Sequence, residues 1–269
     1  MARVAATARR ASNSEAMSVL ARFGLAARAF VYLVIGWLAV QIARGHGSQQ
    51  ANQRGALSDI AQHSYGIVLL WILGVGFAAY TIWRLSEATF GTAAEGKKTG
   101  PRVQSAVRGV IYAGFSVTTF SFIAGSAGQG QSQQQETLTA RAMKHDWGRW
   151  LVGLAGLIVV AVGVGMIVEG VRKKFEKQLR MNELTGRTRT VVVRLGMVGT
   201  TARGIVFAAA GALVVDAAVT FDPAKSTGLD GALRTLADQP YGPWILGVTA
   251  LGLIAFGLFG FAAARWAKT

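Results

Sequence analysis

The chain has no cysteine, four prolines and, at 15% of its 269 residues, little charge. Without cysteine there is no disulfide framework and no Cys-ligated zinc or iron–sulfur centre. Soluble domains carry about a quarter charged residues, so the shortage excludes an ordinary soluble enzyme, and the apolar excess excludes disorder. Also missing are a phosphate-binding loop, a Ser-His-Asp set, a zinc-ligand spacing and paired catalytic carboxylates in a suitable context. Acidic residues are scarce as well, 13 against 28 Lys and Arg, for a net charge of +15. That excess does not point to nucleic acid. The basic residues lie between apolar runs, where membrane topology accounts for them, and stacking aromatics are absent from the most basic stretch apart from Phe175.

What is abundant is apolar residues, 52% of the chain, gathered into six runs with almost no charge. A hydrocarbon core of about 30 Å takes about 20 residues of helix, and each run is near that length. They are Leu25 to Ala43, Ser64 to Trp83, Gly109 to Ala127, Trp150 to Val168, Ala202 to Phe221 and Tyr241 to Ala264. The fold class is therefore all-α, a polytopic bundle of six transmembrane helices. Of the 28 basic residues, 21 fall from the start of the chain through Arg28, from Arg84 to Arg108, from Arg172 to Arg203, and after the sixth span; the other three loops hold 7. The positive-inside rule then places both termini in the cytoplasm. The basic, polar start of the chain, residues 1–21, is read as a cytoplasmic segment and not as a cleaved signal.

The odd-numbered spans open alike: Ala27-Arg28-Ala29-Phe30-Val31-Tyr32, Val107-Arg108-Gly109-Val110-Ile111-Tyr112 and Ala202-Arg203-Gly204-Ile205-Val206-Phe207. The even-numbered spans open with His63-Ser64-Tyr65-Gly66, His145-Asp146-Trp147-Gly148 and Gln239-Pro240-Tyr241-Gly242. The chain is thus three copies of one two-helix unit, over 22–95, 96–180 and 181–269. Each holds an even number of spans, so the copies share one orientation and are expected to sit in a pseudo-threefold arrangement around an axis along the membrane normal. The Arg-Gly-apolar-apolar-aromatic opening, with Gly231-Ala232-Leu233-Arg234-Thr235-Leu236-Ala237-Asp238-Gln239-Pro240-Tyr241-Gly242 after it, resembles the bacterial membrane family catalogued as domain of unknown function 1206. The resemblance runs from Arg22 to Trp266 and is best in the third copy. It implies three such repeats in a plasma membrane protein, and no activity.

The first candidates for function are Arg28, Arg108 and Arg203, one per copy. Charge beside hydrocarbon normally has a partner or a lipid headgroup. Glu87 and Glu169 end the second and fourth spans at matching places, so Arg28 with Glu87 and Arg108 with Glu169 can pair; the third copy has Ala263 there. Structural ion pairs with snorkelling are one reading, and an anion or lipid site at the inner mouth is the other. Asp216, matched by Gln41 and Ser121, is either a polar relay or a solvated helix end. His63 and His145 hold equivalent places and are weak candidates for metal or haem, with helix capping the plainer role. No metal or other cofactor is expected.

Between spans four and five, Arg172, Lys173, Lys174, Lys177 and Arg180 are read as a helical extension of the fourth span facing anionic lipid. Glycine and alanine recur within spans, as in Ala161 with Gly165 and Gly260 with Ala264, and suit close helix packing. The expected function is a non-catalytic membrane scaffold or accessory subunit that binds anionic lipids and other membrane proteins. The alternative is a small-solute channel or secondary transporter with an arginine ring at its cytoplasmic mouth.

Overall fold

The computed structural model describes residues 15–46, 49–91, 99–126, 130–145 and 147–268. Among these, six helices are long and apolar enough to cross a membrane. In chain order the helices are α1 (Glu15–Ala43), α2 (Gln53–Ala61), α3 (Gly66–Phe90), α4 (Thr99–Ile123), α5 (Gln131–Met143), α6 (Gly148–Val171), α7 (Gly186–Thr220), α8 (Gly228–Ala237) and α9 (Gly242–Trp266). The candidate spans are α1, α3, α4, α6, α7 and α9. Most helices outrun their apolar stretches because backbone hydrogen bonding does not stop at the membrane edge. At 35 residues, α7 is about 52 Å long, so its first turns carry Arg187, Arg189 and Arg194 beyond a hydrocarbon core of about 30 Å. The end expected for the third span, Ala127, lies outside the described residues, as do residues 1–14 of the basic start and Asp146.

Each even span is preceded by a short helix: α2 before α3, α5 before α6, α8 before α9. The repeated aromatic-Gly pair has its physical cause here. A Cβ at Gly66, Gly148 or Gly242 would collide with the carbonyl oxygen of Ile60, Ala142 or Ala237 in the preceding short helix. Only glycine lets the chain double back so tightly. The short helices meet at one end of the bundle, where α5 touches α2 and α8, and α8 touches α1. There Asn52 caps α2, accepting from the Gly55 N–H at 2.9 Å, and Asp230 accepts from the Ala51 N–H at 2.7 Å and from Arg234 Nε at 3.0 Å.

The long helices pack in chain order: α1 on α3, α3 on α4, α6 on α7, α7 on α9, and α9 back on α1. The closest of these associations are α6 with α7, α9 with α1 and α3 with α4, and each joins one sequence repeat to another. One neighbouring pair, α4 and α6, does not pack side by side among the described residues. Accordingly only 22% and 17% of the most apolar stretches of α4 and α6 are buried, against 39–50% in the other four spans. The core, with Phe77, Tyr80, Leu70, Val206, Leu246 and Leu253 buried, is built mainly from α1, α3, α7 and α9.

The fourth span does not extend as a helix into the basic stretch. It ends at Val171, and Lys173 turns left-handed at φ 54°. The chain then forms a strap of two 3-10 turns, Lys174–Gln178 and Met181–Glu183. Its apolar residues Phe175, Leu179 and Leu184 are buried against Val192, Phe256 and Phe259, and a straight helical extension into water would forgo that burial. An antiparallel bridge joins Leu179 to Ala267, with the Arg180 N–H donating to Trp266 O at 2.8 Å and the Lys268 N–H to Gln178 O at 2.9 Å.

Candidate anion site

Arg28 stands on α1, Arg108 on α4 and Arg203 on α7, and the fold turns all three into one cavity of about 440 Å³ at the end of the bundle opposite the short helices. The strap and the last turn of α9 line its mouth through Phe175, Leu179 and Ala267. Twelve other lining residues come in matched sets of three from the three sequence repeats. Leu25, Ser105 and Thr200 lie one helical turn before the three arginines. Trp83, Gly165 and Phe259, then Arg84, Met166 and Gly260, then Glu87, Glu169 and Ala263 occupy equal positions on α3, α6 and α9. Five cationic side chains, with Arg84 and Lys268 added to the three, face two acidic ones.

The carboxylates are not shared evenly. Glu87 Oε2 accepts from Arg84 Nη1 at 2.5 Å and from Ser105 Oγ at 3.0 Å, so it is spoken for by Arg84 and not by Arg28. Glu169 accepts from Gln178 Nε2 of the strap at 3.3 Å rather than from Arg108. Among the described residues Arg28, Arg108 and Arg203 take part in no ion pair. Aromatic rings hold two of them instead. The Arg28 guanidinium lies 5.0 Å from the Phe256 centroid and donates to Tyr80 Oη at 3.4 Å. That of Arg203 lies 4.9 Å from Phe256, 5.1 Å from Tyr32 and 4.9 Å from Phe207. Tyr80 Oη accepts a second bond from Arg84 Nε at 3.0 Å, and the Arg84 guanidinium also covers Trp83 at 4.0 Å.

Cation–π contacts are worth about 0.5–2 kcal/mol each, enough to position a guanidinium but not to neutralise it. Arg28 and Arg203 approach the same phenyl ring at 5.0 and 4.9 Å from its centroid, so the two charges stand no more than about 10 Å apart and repel by at least roughly 1.7 kcal/mol at an effective dielectric of about 20. Arg203 Nε is buried without a hydrogen-bond partner among the described residues. A buried donor without a partner normally costs about 1–3 kcal/mol. The arrangement is therefore chemically incomplete in one direction: it lacks negative charge and acceptors.

Elsewhere the sequence candidates separate. Asp216 pairs with Lys225 at 2.8 Å near the short-helix end, and both are well exposed. Ser121 returns its hydroxyl to the Val117 carbonyl of its own helix at 3.0 Å, and no described contact joins Gln41, Ser121 and Asp216. His63 Nδ1 donates to the Asp59 carbonyl at 2.9 Å, and the His63 and His145 carbonyls each accept from the following Gly66 and Gly148 N–H groups at 2.8 Å. Both histidines thus serve the turns that start α3 and α6, and among the described residues no group of three His, Asp or Glu side chains could hold a metal ion. Arg172, Lys173, Lys174 and Lys177 belong to the strap and its approach rather than to a helix beyond the membrane. Arg180 binds Glu183 at 2.8 Å and the Arg265 carbonyl at 3.2 Å. Gly260 packs on Ala29, but Gly165 does not mark a helix contact: a Cβ there would meet nothing within 4 Å.

Sequence reading missed Arg84, Tyr80 and Phe256. Arg84 has Met166 and Gly260 at the matching places, so a search for repeated residues passes over it. The available signal was its position three residues before Glu87, which puts both on one helix face.

Six apolar helices, a thrice-repeated sequence unit and an arginine-lined cavity define a multi-pass helical membrane protein of the internal-repeat kind. The chain belongs to the family described as Domain of Unknown Function (DUF1206), which matches three times, over residues 23–91, 103–173 and 198–267. It is 31% identical over 241 residues to the protein described as "Uncharacterized protein YxxB" of Bacillus subtilis (strain 168), a match covering 88% of this chain and 86% of that protein. No solved structure matches.

Proposed function

We propose that this is a non-catalytic membrane protein that binds an anion in the arginine cavity, acting as a scaffold or accessory subunit in the bacterial plasma membrane. The observation that carries the reading is the convergence of Arg28, Arg108 and Arg203 on one cavity with no carboxylate paired to any of them among the described residues. Matched lining positions from three repeats support a pseudo-threefold arrangement of two-helix units about the cavity axis. The bias of Lys and Arg supports cytoplasmic termini, which puts the cavity at the cytoplasmic face, where Arg172, Lys173, Lys174 and Lys177 meet anionic lipid. The poorly buried faces of α4 and α6 are open to lipid or to the spans of another membrane protein.

The alternative, a channel or carrier for small anions, draws on the same arginines. It is placed second because Phe77, Tyr80, Leu246 and Leu253 fill the core, and because Gln41, Ser121 and Asp216 are not brought to a common path. Thermal unfolding in a neutral detergent tests the leading reading. Inorganic phosphate or pyrophosphate is expected to raise Tm saturably, by the equivalent of about 2.7 kcal/mol at a hundredfold excess over Kd, and the double variant Arg108→Gln/Arg203→Gln is expected to lose the response. Equal responses in wild type and variant, at matched ionic strength, would overturn it. Anion flux in vesicles that saturates and vanishes in the same variant would move the weight to the carrier.

A further inference from the structure

We infer that the anion is the phosphate of an acidic phospholipid, which enters sideways between α4 and α6 and leaves its acyl chains in that gap. This rests on the anion-binding reading above and specifies its ligand. The first observation is the incomplete wall. α4 and α6 both line the cavity, yet they do not pack on each other among the described residues, so the arginines are reachable from the plane of the membrane. On the α6 side the wall is thinned by Gly165, where a side chain would meet nothing within 4 Å; Gly163, two residues earlier, is pressed against the α7 backbone.

The second observation is the chemistry of the stripe that α4 presents. Gln104 and Arg108 belong to the arginine cavity, while Ile111, Phe115 and Thr118 line a second hollow of about 320 Å³ farther along the same helix, whose other walls are α2 and α5 with Gln53, Arg54, Leu57, Gln131 and Gln134. The five α4 residues succeed each other at intervals of three and four, so they lie on one face. The face is polar and cationic at one end and mostly apolar at the other. From Arg108 to Thr118 is about 15 Å along the helix, half of a hydrocarbon core of about 30 Å and thus one leaflet deep. A free inorganic anion would use only the polar end. A phospholipid uses both, with its phosphate against Arg28, Arg108 and Arg203 and its chains along Ile111 and Phe115.

The third observation is the strap, which narrows the aqueous side of the cavity with Phe175 and Leu179 and is stitched to residues 266–268 by the Leu179–Ala267 bridge and its flanking backbone hydrogen bonds. Arg203 Nε, buried and without a partner among the described residues, supplies one donor for the phosphate, and Thr200, which lines the same cavity, adds a hydroxyl.

The test is native mass spectrometry of the delipidated full chain in neutral detergent, titrated with phosphatidylglycerol, phosphatidylcholine or inorganic phosphate, with Tm followed in parallel. Wild type is expected to take up one phosphatidylglycerol at least about tenfold more tightly than phosphatidylcholine, and Arg108→Gln/Arg203→Gln to lose that preference. Ile111→Asp, and Thr118→Asp farther along the same wall in case the first disturbs folding, lie outside the arginine cavity and are expected to weaken phosphatidylglycerol about tenfold while leaving the phosphate-induced Tm rise intact. Phosphate stabilisation with no tighter binding of phosphatidylglycerol, or lipid binding indifferent to both wall variants, would overturn the lateral lipid site and leave the anion site standing. If neither phosphate nor lipid responds to the arginine substitutions, both readings fall.

Discussion

The two ends of the bundle handle buried polarity in opposite ways. At the short-helix end, Asp230, Asn52 and Ser226 are among the most buried polar residues and each has its bonds: Asp230 with the Ala51 N–H and Arg234, Asn52 with the Gly55 N–H and Gln50, Ser226 with Thr139. Two neutral atoms there, Gln53 Nε2 and Ser132 Oγ, have no partner among the described residues. At the arginine end the unpartnered atoms include guanidinium nitrogens of Arg180 and Arg203, and Arg28 and Arg203 rest on rings and a phenol. Native proteins pair nearly all buried polar groups. Among the described residues the short-helix end leaves only neutral side-chain atoms unpartnered, and the arginine end leaves cationic ones as well.

Substitutions can break or sharpen this contrast. The largest effect is expected from Asp230→Ala, which strands the buried Ala51 N–H and takes one partner from Arg234, itself partly exposed and still bonded to the Gln49 carbonyl; a loss of about 2 kcal/mol should appear in denaturant or thermal unfolding, with the anion response unchanged. Next is Glu87→Gln. It keeps a partner for Ser105 but takes away the charge that offsets Arg84, so phosphate or acidic lipid should bind about tenfold more tightly, about 1.4 kcal/mol, while the unliganded protein loses stability. Weaker anion binding in this variant would contradict the assignment of leftover charge to a site. The smallest effect belongs to Lys225→Ala. Its pair with Asp216 is exposed on both sides, and surface pairs contribute about 0–1 kcal/mol, so Tm should barely move; a large drop, or a change in anion binding, would mean that Asp216 acts beyond its helix end.

The spans were legible because little besides a bilayer crossing requires about 20 consecutive residues without charge, and the three arginines because each recurs at the same place in its copy. Two things escaped for physical reasons. Partner choice within the cavity depends on side-chain reach in three dimensions: Glu87 goes to Arg84, one turn away on its own helix, before it can serve Arg28 on another. The strap escaped because Phe175, Leu179 and Leu184 are spaced too irregularly, amid Arg172, Lys173, Lys174 and Lys177, to reveal a buried face. Small-residue pairs misled in one instance. Ala161 with Gly165 has the spacing of a packing stripe, but the α6 face that meets α7 is carried by Gly156, Gly163 and Gly170.

The seating of α9 against α1 has a consequence for how the molecule is made. Roughly 200 residues separate the end of α1 from the start of α9, and a ribosome adding about 5–20 residues per second takes roughly 10–40 s to cover them. Throughout that interval Arg28 waits in a membrane-inserted helix without the Phe256 ring it will share with Arg203. An arginine near the end of a lone span can snorkel to the interface, so early intermediates should hold the Arg28 guanidinium out toward water until the sixth span supplies its ring. The arginine cavity is thus the last part of the protein to exist, and a translation product stalled before α9 would offer bare guanidinium groups to the insertion and quality-control machinery.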